Sequence, residues 1–215
     1  MGFNAQADTA SLRAVLNKIE TEGASSAAEV SEISFQLALC ERDVTAATRA
    51  LGNISSEGYI DFNGFPFPHA WYEGQVAKLR QDAAAARSAF AGARTETEKL
   101  VLSQPGNEKP LSVLGLIDAE LGEKDKSIHE GRAACDMVPP ATDAVFNVLL
   151  ITNLARIYAV MSEKQLALGQ LEIVSKRPFG PSYGELRLDP VWDALRGDPR
   201  FEKILEEAKK PVALK

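Results

Sequence analysis

Apolar residues recur along most of this chain at three- and four-residue intervals, and polar breaks divide the pattern into helix-length segments. Leu12, Val15, Leu16 and Ile19 predict one amphipathic helix over residues 8–22, stopped at Gly23. Ile33, Phe35, Leu37 and Leu39, then Val44, Ala47 and Leu51, predict a helical hairpin over 27–54 that turns at Glu41-Arg42-Asp43. A second hairpin, 68–105, carries Ala86, Phe90 and Ala93 on a helix that runs on to Leu102 before Pro105-Gly106. A third, 109–139, turns between Gly122 and Lys126. A fourth, 144–178, has Ile151, Leu154, Tyr158, Ala167 and Leu171 as its stripe. The periodicity fails over 53–68, where Gly58, Gly64, Pro66 and Pro68 interleave with Tyr59, Phe62, Phe65 and Phe67. That stretch reads as a loop held down by aromatic anchors.

Residues 186–210 have a different grammar. Asp189-Pro190 and Asp198-Pro199 each put a capping carboxylate directly before a proline at the first helical position, where a missing N–H costs nothing. Two short helices should follow, the second with Phe201, Ile204, Leu205 and Ala208 on one face before Pro211.

A pair of helices of this length is too thin to bury its own apolar faces, so the hairpins must stack. With Phe35, Gly74, Gly115 and Ala155 as equivalent positions, the spacings are 39, 41 and 40. Within the third hairpin, Leu111, Leu114, Gly115, Asp118, Ser127, Gly131, Ala134 and Pro139 follow the size pattern of the tetratricopeptide repeat, whose unit is about 34 residues. The extra residues fall between hairpins. The chain therefore resembles tetratricopeptide-repeat (TPR) proteins. In particular it is similar to the TPR-like C-terminal region of bacterial multidomain regulators, where such an array follows a kinase, cyclase or winged-helix module. The likeness is carried by Leu39 to Leu51, by Leu121-Gly122-Glu123-Lys124 with Ala133 to Pro139, and by the terminal run from Leu186 to Phe201. Gly131 stands where a bulky residue is usual and Ser127 where alanine is usual, and the 53–68 insert has no counterpart.

The resemblance implies an all-α fold, a right-handed α-α superhelix of TPR-like hairpins closed by a short helical cap, as a single domain over 1–215. The first helix of each hairpin then lines a concave groove, and the groove residues would be Gln36, Trp71, Gln75, Lys78, Ser112, Leu116, Glu120, Asn153 and Arg156. Trp71 and Tyr72 have a second reading, as packing residues under the 53–68 segment. The implied partner is a peptide or protein segment, and the implied role is a non-catalytic protein–protein interaction module. The alternative is a regulatory sensor or oligomerisation domain of a larger regulator, since an array opening on a lone helix is either capped there or continues upstream. Of the positions that form a carboxylate clamp in chaperone-binding relatives, only Lys109 fits; Glu32, Gln36, Tyr72 and Val113 do not.

Composition narrows the chemistry. A formal net charge of -6 argues against phosphate backbones as partners. No apolar run approaches the ~18 residues needed to span a bilayer, and the most apolar segment, 144–158, is interrupted by Asn147, Thr152, Asn153 and Arg156. The first six residues carry neither a secretory nor a myristoylation signal. Cys40 and Cys135 read as separate packing thiols, which fits a reduced compartment and leaves open the cytoplasm or, behind an upstream membrane helix, the periplasm. His69 and His129 lie in different hairpins with no ligand spacing, so no metal or cofactor is expected. No phosphate-binding loop, dinucleotide fingerprint or nucleophile elbow occurs, and no paired carboxylates stand out, so no enzyme activity is expected.

Overall fold

The computed structural model describes residues 7–22 and 27–210, and among these the chain is all-α apart from one pair of two-residue strands. The stops assigned to Gly23 and Pro211, and the first six residues, lie outside the described residues. The described helices fall into two compact units that meet in sequence at Ser103 and Gln104.

The first unit holds α1 (Thr9–Glu22), α2 (Ala27–Glu41), α3 (Val44–Leu51), β1 (Tyr59–Ile60), β2 (Pro66–Phe67), α4 (His69–Leu79) and α5 (Ala83–Ser103). α2 packs on α3 and α4 on α5, with α1 against α2 and α3 against α4. The second unit holds α6 (Glu108–Glu120), α7 (Lys124–Met137), α8 (Ala144–Val160), α9 (Lys164–Val174), α10 (Tyr183–Leu188), a 3-10 helix (Pro190–Leu195) and α11 (Pro199–Ala208). Here α6 pairs with α7 and α8 with α9, and α8 also packs on both members of the preceding pair.

Each hairpin turns through one residue in the left-handed region: Arg42 (φ 57°), Gln81 (φ 60°), Gly122 (φ 82°) and Ser162 (φ 60°). An acid follows each of them. Its amide donates back across the turn to a carbonyl five residues earlier: Asp43 to Ala38 (2.9 Å), Asp82 to Ala77 (3.0 Å), Glu123 to Asp118 (2.9 Å) and Glu163 to Tyr158 (2.8 Å). This bond closes a Schellman-type helix end and satisfies a carbonyl that the helix leaves open. The acid then stands at the N-terminus of the second helix, where negative charge meets the positive end of the backbone dipole. Asp43 and Asp82 also accept from Ala46 and Ala85 at 2.9 and 3.0 Å. The four left-handed residues lie 39, 41 and 40 apart, each seven residues after Phe35, Gly74, Gly115 and Ala155. One turn geometry therefore repeats in register with the sequence pattern, and only Gly122 announces it by residue type.

Close helix contacts explain the small residues. A Cβ on Gly74 would lie 2.5 Å from the ring of Phe90, which is itself 1% exposed, so α4 and α5 can approach this closely only with glycine there. Gly131, the departure from the TPR size pattern, makes room for the next hairpin: a Cβ there would lie 2.7 Å from Ile157 Cδ1. The buried Ser127 donates its hydroxyl to Lys124 O at 3.0 Å, so serine serves as well as alanine. Two glycines of the α4–α5 hairpin should consequently respond with opposite signs. Gly74→Ala gains up to about 1 kcal/mol of helix propensity but overpacks a rigid ring, for a net loss of about 1–2 kcal/mol. Gly92→Ala, whose Cβ would meet only Ala70 at 3.7 Å, should stabilise by about 0.5–1 kcal/mol. Urea midpoints of the two variants against the wild type would settle this, and a stabilised Gly74→Ala would contradict it.

The 53–68 segment is not a plain loop. β1 and β2 pair antiparallel, Tyr59 opposite Phe67 and Ile60 opposite Pro66. Asp61 ties the connecting turn: its Oδ1 accepts from the amides of Asn63 (2.9 Å) and Phe65 (2.7 Å), while its own amide donates to Phe65 O (2.9 Å). Three of the four aromatics anchor the segment as expected. Phe65 is buried, and Tyr59 and Phe67 pack on the core of Phe35, Tyr72 and Val76. Phe62 does not anchor, because it stands at the turn with 93% of its surface exposed.

The terminal cap is built as its Asp-Pro pairs imply, with one helix more. Asp189 Oδ1 caps the 3-10 helix through Val191 N (3.0 Å), and Asp198 Oδ1 caps α11 through Arg200 N (2.8 Å). Ahead of them α10 starts on a capping box, in which Ser182 and Glu185 exchange side-chain and backbone bonds. Leu186, Trp192, Leu195 and Phe201, all fully buried, close over Leu168 and Leu171 of α9 and Tyr158 of α8.

Candidate functional site

The nine groove positions fall in the two units, each taken by itself. In the first, Gln36 lies half-buried on α2, and α4 carries Trp71 and Gln75, half-buried, and Lys78, exposed. Trp71 lies between the rings of Phe67 (5.5 Å) and Phe90 (5.6 Å), and Tyr72 meets Phe35 edge-on at 5.1 Å and is buried. Both aromatics follow the packing reading under the 53–68 segment.

In the second unit, Ser112 and Leu116 on α6 are buried, and Glu120 is half-buried. Asn153 of α8 donates to Ser112 Oγ at 3.0 Å, so the first helices of consecutive hairpins are joined through two of the expected residues. Arg156 is committed elsewhere: its Nη1 donates to Asp189 Oδ2 at 2.7 Å, and its guanidinium lies 5.4 Å from the ring centre of Trp192. It fastens the cap to α8. Lys109, the one clamp-like residue, sits 4.3 Å over the ring of Phe146.

Two clefts open elsewhere. One, about 530 Å³, lies between α3, α4 and α5 and includes Leu51, Glu73, Val76 and Arg80. The other, about 430 Å³, lies between α7, α8 and α9 and includes Cys135, Asn147, Ile151, Leu154, Ile173 and Arg177. They occupy equivalent places, each bounded by the second helix of one hairpin and both helices of the next. None of the nine groove residues lines either.

The α7–α9 cleft has the more distinctive chemistry. Ile151, Leu154 and Ile173 make an apolar floor, and Ile173 is 42% exposed. Asn147 is buried at 3% exposure; its Nδ2 donates to Val138 O at 2.9 Å, while its Oδ1 accepts no hydrogen bond among the described residues. The guanidinium of Arg177, half-buried at the edge, has no partner among the described residues. Burial, with Asp136 adding to it, pushes the Cys135 thiol up to about 12, which keeps it neutral and a poor nucleophile. An apolar floor with one cation, Arg177, and one acid, Asp136, on its lining suits an apolar side chain. The sequence held one signal for this place: Asn147 interrupts the most apolar helix of the chain.

His69 Nδ1 lies 2.9 Å from Ser55 O, and His129 is exposed. No group of three His, Cys, Asp or Glu among the described residues is placed to hold a metal ion, and no described helix is long and apolar enough to cross a membrane. No family model matches the chain, and no characterised protein or solved structure matches it either.

Proposed function

We propose that the chain is a TPR-like repeat module that captures a segment of another protein and performs no chemistry of its own. In this reading the hairpins form a right-handed array, and the first-helix face of each hairpin receives the partner. The observation that carries it is the recurrence of one turn, a left-handed residue followed by an acid, at Arg42-Asp43, Gln81-Asp82, Gly122-Glu123 and Ser162-Glu163. Stacked units of this kind offer extended surface with little enclosed volume, which suits polypeptide better than a small molecule. Further support comes from side-chain links between neighbouring hairpins, turn to turn and first helix to first helix. Lys124 pairs with Glu163, and Asn153 bonds Ser112.

The test is crosslinking of the full chain in extract of its native host, followed by mass spectrometry. Protein segments should be recovered on the first-helix face, and the double variant Gln75→Ala, Lys78→Glu should lower their yield at least about tenfold, the effect of losing a well-placed contact. Recovery of small metabolites alone, or a yield indifferent to both substitutions, would reject the proposal.

A further inference from the structure

The α7–α9 cleft carries opposite charges that do not meet. Asp136, exposed in the last turn of α7, and Arg177, half-buried just beyond α9, both line it. Their side chains form no ion pair or hydrogen bond with each other or with any other group among the described residues. Gln170 of α9, on the same lining, likewise makes no side-chain hydrogen bond among them. An acid, an amide and a guanidinium thus stand uncommitted around the apolar surface of Ile151, Leu154 and Ile173. We infer that this cleft binds a free α-amino acid with an aliphatic side chain, its carboxylate on Arg177 and its ammonium on Asp136.

The charges select this class of ligand. A guanidinium takes a carboxylate through its fork of N–H groups. An ammonium arriving at Asp136 meets the carboxylate and also the negative end of the α7 backbone dipole, where the acid by itself is unfavourable. A simple fatty carboxylate would leave Asp136 without a partner, and a simple amine would leave Arg177 without one. The backbone of an internal peptide segment carries neither charge. A volume of about 430 Å³ falls in the range of small-molecule pockets. The site is separate from the first-helix face, since none of the nine groove residues lines it, so amino-acid binding here and segment capture there stand or fall independently.

Titration of leucine into the isotope-labelled full chain, followed by amide chemical shifts, tests this. Leucine should shift the cleft residues saturably with a Kd of about 1 mM, weak because Asp136 and Arg177 stay in contact with water. Glycine, which lacks the apolar group, should bind at least about tenfold more weakly. The decisive comparison crosses two variants with two leucine derivatives. Arg177→Gln should weaken leucine at least about fivefold and leave leucinamide, which has no carboxylate, unaffected. Asp136→Asn should weaken leucine about threefold and leave N-acetylleucine, which has no ammonium, unaffected. Spectra without ligand report whether each variant keeps the wild-type fold. No saturable shift by about 20 mM leucine, shifts confined to other parts of the chain, or equal losses for leucine and both derivatives in each variant would overturn the inference.

Discussion

Trp192→Ala should cost the second unit about 3–5 kcal/mol, the range for removing a large, fully buried aromatic. Trp192 has no exposed surface, and it lies in one core with Leu186, Leu195, Phe201, Leu171 and Tyr158. The cap that it anchors has short helices that cannot stand alone, since a helix of six residues is far below the length at which hydrogen bonding compensates nucleation. Losing the indole therefore empties the space between the cap and α8–α9. The indole Nε1–H donates to no group among the described residues. The side chain's contribution is then packing, and Trp192→Phe should cost clearly less than the alanine variant, about 1–2 kcal/mol. Arg156→Ala should fall between the two, at about 1–3 kcal/mol, because it leaves Asp189 half-covered without its guanidinium. The chain's two tryptophans lie in different units, so each reports its own. Urea unfolding of Trp192→Ala followed by circular dichroism should show an early loss of part of the helix, while Trp71 fluorescence reports the first unit in the same sample. A shift under about 1 kcal/mol, or the same cost for phenylalanine as for alanine, would show that the cap is not held by this side chain.

How far residues alone disclose this molecule depends on the range of the interaction involved. Helix positions were readable because each depends on neighbours three and four residues away, and the Asp189 and Asp198 caps were readable because a carboxylate before proline acts within one turn. The repeated hairpin turn was only partly visible. Arg42, Gln81 and Ser162 adopt the left-handed region without being glycine, and what holds them there is a backbone bond spanning five residues. The strands at 59–60 and 66–67 are too short to show alternation, and the exposure of Phe62 depends on where their turn points. Side-chain roles on the α8 helix were the hardest. Arg156 sits at a plausible groove position, but its partner Asp189 comes from the cap, 33 residues on. Asn147 reads in sequence only as a break in an apolar run, and the cleft beside it exists only once α7 and α9 are in place.

Stability of the first unit should decline as pH rises from about 4.5 to about 7, opposite to the usual effect of carboxylates, and Glu32 is the reason. Its carboxyl is pushed up to about 7, first by burial on α2 and further by the charge of Asp61; the Gln36 hydrogen bond works the other way. Tyr72 faces the same cluster, and burial, with the charges of Glu32 and Asp61, pushes its phenol upward as well. The sign follows from proton counting. Between the unfolded value near 4.5 and the folded value near 7, the folded chain binds the proton and the unfolded chain does not, so raising pH favours unfolding. The full contribution is present below about 4.5, fades across the window and is gone above 7, amounting to at most about 3 kcal/mol. Glu32→Gln replaces the carboxyl with a neutral group of the same shape that can still bond Gln36. It should match the wild type near pH 4.5 and exceed it at pH 8 by on the order of 1–3 kcal/mol. Urea midpoints read from Trp71 fluorescence at pH 4.5, 6 and 8, with both proteins carrying Trp192→Phe so that Trp71 is the sole tryptophan, give the difference curve directly. Parallel curves for the two proteins would mean that Glu32 ionises in the folded state as freely as in water, and that the Asp61 hairpin places no charge close enough to α2 to be felt.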